Sequence, residues 1–406
     1  MMKNLNKWGL SIIMVFLFAC CTEKVGGDFV DPSPDGSGNG GGGNPLYDAK
    51  TYKEKSKAVF DHIIKHYSVN GTNYFLENYP KQGGDRPVAY FWSHSTLFTG
   101  AIWQLALGYN DPSIQKVING LDEYWDVNRT PFAFQSYPNE FGGGDRFYDD
   151  NAIAGLDDVL AYEVTNQPSF LRRAEDALAF DMSGESMDQG GGIFWSEQLR
   201  LNNPGNPNTV KAANATALSA LLALKLYKIT NKPQYLEFAQ RIYTWNKNKL
   251  QDPADKNYWN DVHAVTGVIN KMKWAYNSGA MISNAVLLYE ITGNVEHLNE
   301  AKSVARASYN HFTHDVPGVG KFFPSHDPYF TMHLLRGYLD LYEVDKNPEY
   351  INTLIMNVDY AWKSARNSAG FFLEDWSGKT RGREAWLINQ TCMVEIYALI
   401  SDFKRE

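Results

Sequence analysis

Tyr227-Lys228-Ile229-Thr230-Asn231-Lys232-Pro233-Gln234-Tyr235-Leu236 ends one apolar run and opens another. The Thr-Asn pair breaks the first helix. Pro233 stands where the second begins, a position at which a missing N–H costs nothing. The same arrangement recurs as Tyr162-Glu163-Val164-Thr165-Asn166-Gln167-Pro168-Ser169-Phe170-Leu171. Degenerate copies run from Tyr289 to Leu298 and from Tyr342 to Ile351, and another surrounds Asn110-Asp111-Pro112. The proline of each copy, with Val295 in its place in the fourth, falls at 112, 168, 233, 295 and 348, a mean spacing of 59 residues. Common two-helix solenoid repeats take roughly 34 to 47 residues, so this period fits a helical hairpin plus a long return loop.

Residues 46–406 hold about six such periods. They predict a single all-α domain, an (α/α)6 toroid of six helical hairpins. Inner helices are expected to start near Trp92, Asp149, Val210, Asn277, Asp327 and Glu384. The run Ala215–Leu224 is small or apolar nearly all round, the mark of a buried helix. The partner helices, 171–180, 236–245 and 298–309, carry a charged face at helical spacing. Inner-to-outer turns are short. The returns (137–145, 181–208, 250–274 and 314–326) are long and rich in Gly and aromatics, as functional loops often are. They gather where inner helices begin, and the positive dipole ends there suit ionised carboxylates.

The start of the chain reads differently. Lys3 and Lys7 precede a short apolar stretch, Leu10 to Ala19, too short to span a bilayer, so residues 1–19 read as a signal peptide. Leu17-Phe18-Ala19-Cys20 resembles a bacterial lipoprotein box, which makes Cys20 the expected lipidation site and Cys21 its neighbouring alternative. Residues 20–45, with a Gly/Asn/Ser tract from Gly36 to Asn44, read as a flexible leash. The expectation is an exported protein, lipid-anchored in the cell envelope and touching membrane only through that anchor. Cys392 lies in an apolar helical run and is expected to be a core thiol, with no disulfide framework.

The 406 residues are 44% hydrophobic and 21% charged, an ordinary globular balance that excludes wholesale disorder. Lys plus Arg number 38 against 46 for Asp plus Glu, a net charge of -8 with no basic block, which argues against a nucleic-acid partner. Removing residues 1–19 takes away two lysines and no acid, so the remainder carries 36 against 46, or -10.

Arg146-Phe147-Tyr148-Asp149-Asp150-Asn151-Ala152 follows Gly142-Gly143-Gly144 at the start of the second inner helix. An isolated Asp-Asp-Asn also reads as an N-cap. On the loop-rich face of a toroid, beside a glycine tract that lets a ligand approach backbone, the pair reads as catalytic. Paired carboxylates hydrolyse glycosidic bonds, about 5–5.5 Å apart for retention and about 6.5–9.5 Å for inversion. Adjacent aspartates can reach the shorter distance if the helix start is irregular; a regular helix splays them by about 100°, which leaves an inverting separation or a role for one of them alone open.

Tyr148-Asp149-Asp150-Asn151-Ala152 resembles the signature of glycoside hydrolase family 76, the endo-α-1,6-mannanases. Gly191-Gly192-Ile193-Phe194-Trp195, Trp274-Ala275-Tyr276-Asn277-Ser278-Gly279 and Phe91-Trp92 are similar to further segments of that family. The resemblance implies an (α/α)6 toroid, no metal or cofactor, and retaining endo-hydrolysis of the α-1,6-linked backbone of fungal mannan. It implies Asp149 as nucleophile and Asp150 as general acid/base. The chain departs from the pattern at Ile153-Ala154, at Lys211-Ala212-Ala213 and around His326-Asp327-Pro328-Tyr329.

Trp195, Tyr276 and Trp92 are candidate sugar platforms, although aromatics at helix starts also pack cores. Asn277 reads as a sugar contact or a helix cap, and Asp261 as a substrate contact or a turn residue. His263, His311, His314, His326 and His333 form no metal-binding motif, and neither glycine tract is a phosphate loop. Two other readings stand beside the hydrolase: a non-catalytic or transglycosylating mannan-binding relative, and a lyase or uronyl hydrolase. The last needs a basic cleft, and these loops hold few Arg or Lys.

Overall fold

A computed structural model describes residues 49–323, 327–382 and 385–403. The signal, the leash, Cys20 and Cys21, like His326 and Glu384, lie outside the described residues. The inner helices are α2 (Phe91–Ala106), α4 (Tyr148–Thr165), α7 (Ala213–Thr230), α9 (Ala275–Thr292), α11 (Pro328–Asp345) and α13 (Leu387–Asp402). Outside them lie α1 (Tyr52–Tyr67), α3 (Pro112–Asp122), α5 (Pro168–Ser183), α8 (Pro233–Leu250), α10 (Val295–Phe312) and α12 (Glu349–Ser364). A short α6 (Glu197–Asn202) sits in a return loop. Around the ring α2 packs on α4, α4 on α7, α7 on α9, α9 on α11, α11 on α13, and α13 on α2 again. The fold is a closed (α/α)6 toroid.

The repeated decapeptide is a stop-and-start device. The residue four after each tyrosine is left-handed: Asn166 (φ 56°), Asn231 (φ 55°), Gly293 (φ 71°) and Lys346 (φ 56°). In each case its N–H donates to the tyrosine carbonyl, which terminates the inner helix. Where a threonine precedes the stop, its hydroxyl donates back to the helix and accepts the N–H two residues on, as Thr165 does with Ala161 O and Gln167 N.

Two features depart from the sequence expectation. The tyrosine and left-handed stop close four hairpins, a turn through Gly108 (φ 85°) closes the first, and the sixth is assembled from both ends, with α1 serving as the outer partner of α13. Ser56 of α1 is buried, donates to Val394 O (2.8 Å) and accepts from Gln104 of α2 (2.8 Å). The returns also carry small antiparallel sheets: β1 (Trp125–Asp126) with β2 (Ala133–Phe134), β3 (Val210–Ala212) with β4 (Trp259–His263) and β5 (Ile269–Lys273), and β6 (His314–Val316) with β7 (Gly320–Phe322). Val210 therefore opens a strand, and the third inner helix starts three residues later. Ala212 lies opposite Asp261 in that sheet, so β3 ties the start of α7 to the 259–273 hairpin.

The closest inner contact is α9 on α11. A Cβ on Gly279 would lie 2.5 Å from His333 O, and one on Gly337 would lie 2.5 Å from Gly279 O. Cys392 is buried and unpaired in α13, as expected of a core thiol. No described helix is long and apolar enough to cross a membrane.

Candidate active site

At the start of α4 nearly every side chain has a structural task, and the two aspartates are the exception. Arg146 is buried, rests its guanidinium 4.8 Å from the Phe180 ring centroid and binds both oxygens of Glu197, with Nε at 2.8 Å. It also donates to Pro131 O at 2.8 Å. Tyr148 stacks on Phe180, accepts a bond from Arg200, and takes Trp195 O on its own N–H. Asn151 donates to Phe134 O and accepts from Phe134 N, locking β2 to the helix.

Asp149 and Asp150 are the second and third residues of α4, half-buried, and neither caps the helix; the N-cap is Phe147, which makes no side-chain bond. Asp149 Oδ1 accepts the Asp150 N–H (3.0 Å), and Oδ2 accepts Asn214 Nδ2 (2.5 Å). Burial pushes the Asp149 carboxyl up to about 6, while the backbone N–H groups, Asn214 and the Trp195 indole hold it down. Asp150 is pushed well higher by burial and by the negative charges of Asp149 and Asp145. No group among the described residues hydrogen-bonds its carboxyl. The helix dipole is outweighed by burial here, contrary to the expectation that it would keep both ionised. The result is a pair of adjacent carboxyls in unlike surroundings, with Asp150 the more strongly biased toward its protonated form.

A cleft of about 570 Å³ opens beside the pair, lined by Trp195, Asn214, Asp261, Trp274, Tyr276 and Phe330 among others. The Tyr276 hydroxyl lies in the field of both aspartates and beside Asn214. Asp261 accepts from Asn260 (2.6 Å) and Asn270 (3.0 Å), and burial raises its pKa. No Lys or Arg lines this cleft among the described residues, which fits an uncharged ligand. No cluster among them has the makings of a metal site.

The tertiary structure thus brings Trp195, Tyr276 and Asp261 to the cleft beside Asp149 and Asp150. Trp92 does not line it. Its ring packs edge-on against Trp386 (5.2 Å) and Tyr329 (5.9 Å), and the Tyr329 hydroxyl feels the Asp150 charge. Asn277 neither caps α9 nor lines the cleft. It is the third residue of the helix, fully buried, and both its amide atoms lack a hydrogen-bond partner among the described residues. One residue past Tyr276 on a regular helix is a turn of about 100°, which takes Asn277 off the cleft side.

Asn214 was missed in the sequence. Its signal was a lone amide in the first turn of an otherwise small and apolar inner helix, one residue beyond the Lys211-Ala212-Ala213 segment that read as a departure from the family pattern. Phe330, which packs 4.3 Å from Tyr276, was hidden in the same way in the first turn of α11.

Comparison with known proteins agrees with this geometry. An α-mannanase structure from Bacteroides thetaiotaomicron is 26% identical, covers 88% of this chain and 97% of its own, and superposes with a TM-score of 0.78. An α-1,6-mannanase from Salegentibacter, 20% identical, covers 86% of this chain and 98% of its own with a TM-score of 0.68. A mannan endo-1,6-α-mannosidase of Candida glabrata is 22% identical over 231 residues, 54% of this chain and 50% of that protein. The chain thus spans about half the length of the curated relatives it matches. Residues 51–397 match the sequence model of glycosyl hydrolase family 76. With that match running from the first outer helix into the last inner one, the chain belongs to glycosyl hydrolase family 76.

Proposed function

We propose that this chain hydrolyses α-1,6-mannosidic linkages within the backbone of a fungal-type mannan, with retention of configuration. The observation that carries the reading is the unlike environment of two adjacent carboxyls beside an aromatic-walled cleft whose described lining holds no Lys or Arg. Asp150, the more strongly raised, supplies its proton to the glycosidic oxygen as the C1–O bond breaks. Asp149, held ready by Asn214 and Trp195, bonds to C1 and forms a glycosyl ester. Water then attacks C1, Asp150 takes the water proton, and the ester bond breaks to restore both groups. Relatives named as mannan endo-1,6-α-mannosidases support the linkage. So does an inactive Salegentibacter variant, with consecutive aspartates replaced by asparagine, in complex with α-1,6-mannotriose.

The test is incubation with debranched and intact yeast mannan, with product sizing and NMR of the first-formed anomer. Mixed oligosaccharides with an α-anomeric end are expected, and Asp149→Asn or Asp150→Asn should abolish them while the protein stays folded. Binding without cleavage would instead mark a mannan-binding relative, and a β-anomeric first product would exclude the double displacement. The leader adds a location to the proposal: export, cleavage before Cys20, and lipid attachment there. Radiolabelled palmitate should enter the native chain and not Cys20→Ser; equal labelling of the two would place the lipid elsewhere.

A further inference from the structure

A second cavity of about 450 Å³ adjoins the catalytic cleft. Trp274 and Phe330 belong to the walls of both, and their rings pack at 5.2 Å to form the partition. The cleft is walled by inner-helix starts, Asn214 and Tyr276 among them. The second cavity is lined by the C-terminal end of the outer helix α10, from His311 to Thr313, by His314 just beyond it, and by Thr331. It therefore sits farther from the toroid axis than the cleft, to the side of a chain lying over the dyad. Its volume is within the roughly 300–1,000 Å³ usual for small-ligand pockets.

Its electrostatics exclude an anionic ligand. Lys273, the one cation in the described lining besides the histidines, is held between Asp252 (2.6 Å) and Asp255 (2.8 Å). His311 faces Asp255 at 3.6 Å, and burial lowers its pKa, which disfavours a cationic ring there. Asp327 adds a carboxyl to the lining. The rest is an aromatic wall with hydroxyl and imidazole groups around it, and rings beside a carboxyl suit the apolar face and the donating hydroxyls of a pyranose.

We propose that this lateral cavity is a branch subsite: it takes an uncharged hexosyl side unit of a polysaccharide whose backbone occupies the cleft, with the Trp274–Phe330 partition between the two. The inference rests on the mannan reading above and extends it to substrate choice. Backbone and branch are thereby bound by separate walls, so the two affinities are separable by substitution. His311 and His314 are exposed at the rim, and a larger ring at either position narrows the cavity without touching Asp149, Asp150 or the cleft lining.

The experiment uses the full chain carrying Asp149→Asn and Asp150→Asn, so that binding is read without turnover. Calorimetry compares a linear α-1,6-mannotetraose with the same backbone bearing one mannosyl branch on an internal unit. Adding His311→Trp or His314→Trp should weaken the branched ligand by about tenfold, the loss of one good contact, and leave the linear one within about twofold. Equal weakening of both ligands would make the cavity a backbone subsite and overturn the branch assignment. No weakening of either, or no binding of the branched ligand before the rim is altered, would show that the cavity holds no sugar branch. Failure of the mannan reading itself appears separately, as absence of hydrolysis of linear mannan by the unsubstituted dyad.

Discussion

Asn214→Ala removes one amide from Asp149 and nothing else from the dyad. In the folded protein Asn214 Nδ2 lies 2.5 Å from Asp149 Oδ2, and it is one of two side chains that stabilise the ionised form. Hydrogen bonds to charged groups contribute about 1.5–3 kcal/mol. If that stabilisation serves the nucleophile, kcat/KM falls by roughly 10- to 150-fold. The pH profile supplies a second, independent reading. Burial already raises Asp149 above the ordinary 3.8, to about 6, and the amide opposes that rise. Without it the nucleophile protonates at higher pH, so the acid limb moves toward neutrality and the loss is larger at pH 5 than at pH 7. The assay is reducing-end release from linear α-1,6-mannan across that range, with circular dichroism confirming the fold. A loss below about threefold with an unmoved acid limb would refute the assignment of Asn214 as the group that readies Asp149.

The remaining predictions concern stability. Both dyad carboxyls have folded-state pKa values above 3.8, so their ionised forms cost stability above that pH, and the cost vanishes once both are protonated in folded and unfolded chains alike. Asp150→Asn should therefore raise Tm at pH 7 and lose that gain as the pH falls toward 3.5, where 1 kcal/mol is worth about 2–4 °C in mid-sized domains; an unchanged Tm at pH 7 would contradict the burial argument. Arg146→Met leaves the buried Glu197 with only Arg129, at 3.3 Å, and should cost about 3 kcal/mol in urea unfolding. Arg146→Met with Glu197→Met should recover part of that, and an additive double mutant would rule out the pairing. Gly192→Ala puts a Cβ 2.3 Å from the Trp245 ring at a residue with φ of +80°, which should cost about 2 kcal/mol or more and change the tryptophan emission; a wild-type melting curve would mean the 190–192 turn bends freely.

Much of the toroid was legible because its signals are local. A tyrosine and a left-handed stop four residues on repeat along the chain, followed in three of the four copies by a proline two residues later, and each copy sets its own hairpin through backbone bonds within a few residues. The dyad was legible for the same reason, since Asp149 and Asp150 are neighbours in sequence and lie in one helical turn. Trp195 and Asp261 drew notice in the return loops and Tyr276 at an inner-helix start, and all three line the cleft. The sixth hairpin was not legible as such: α1 and α13 come from opposite ends, and only ring closure makes them partners. The burial of Asn277 was not legible, because a position near a helix start does not say which way the side chain points around the helix. Asn214 was overlooked because its task exists only across a helix boundary, sixty-five residues from Asp149.

The sequence by itself determined the number of hairpins, where they turn, which face gathers the long loops, and which pair of acids that face presents. The tertiary structure decided how those acids differ. Desolvation and cross-helix partners are properties of space, so only the closed ring gives Asp149 the Asn214 amide, leaves Asp150 without a hydrogen-bonding partner among the described residues, and sets a lateral cavity behind Trp274 and Phe330.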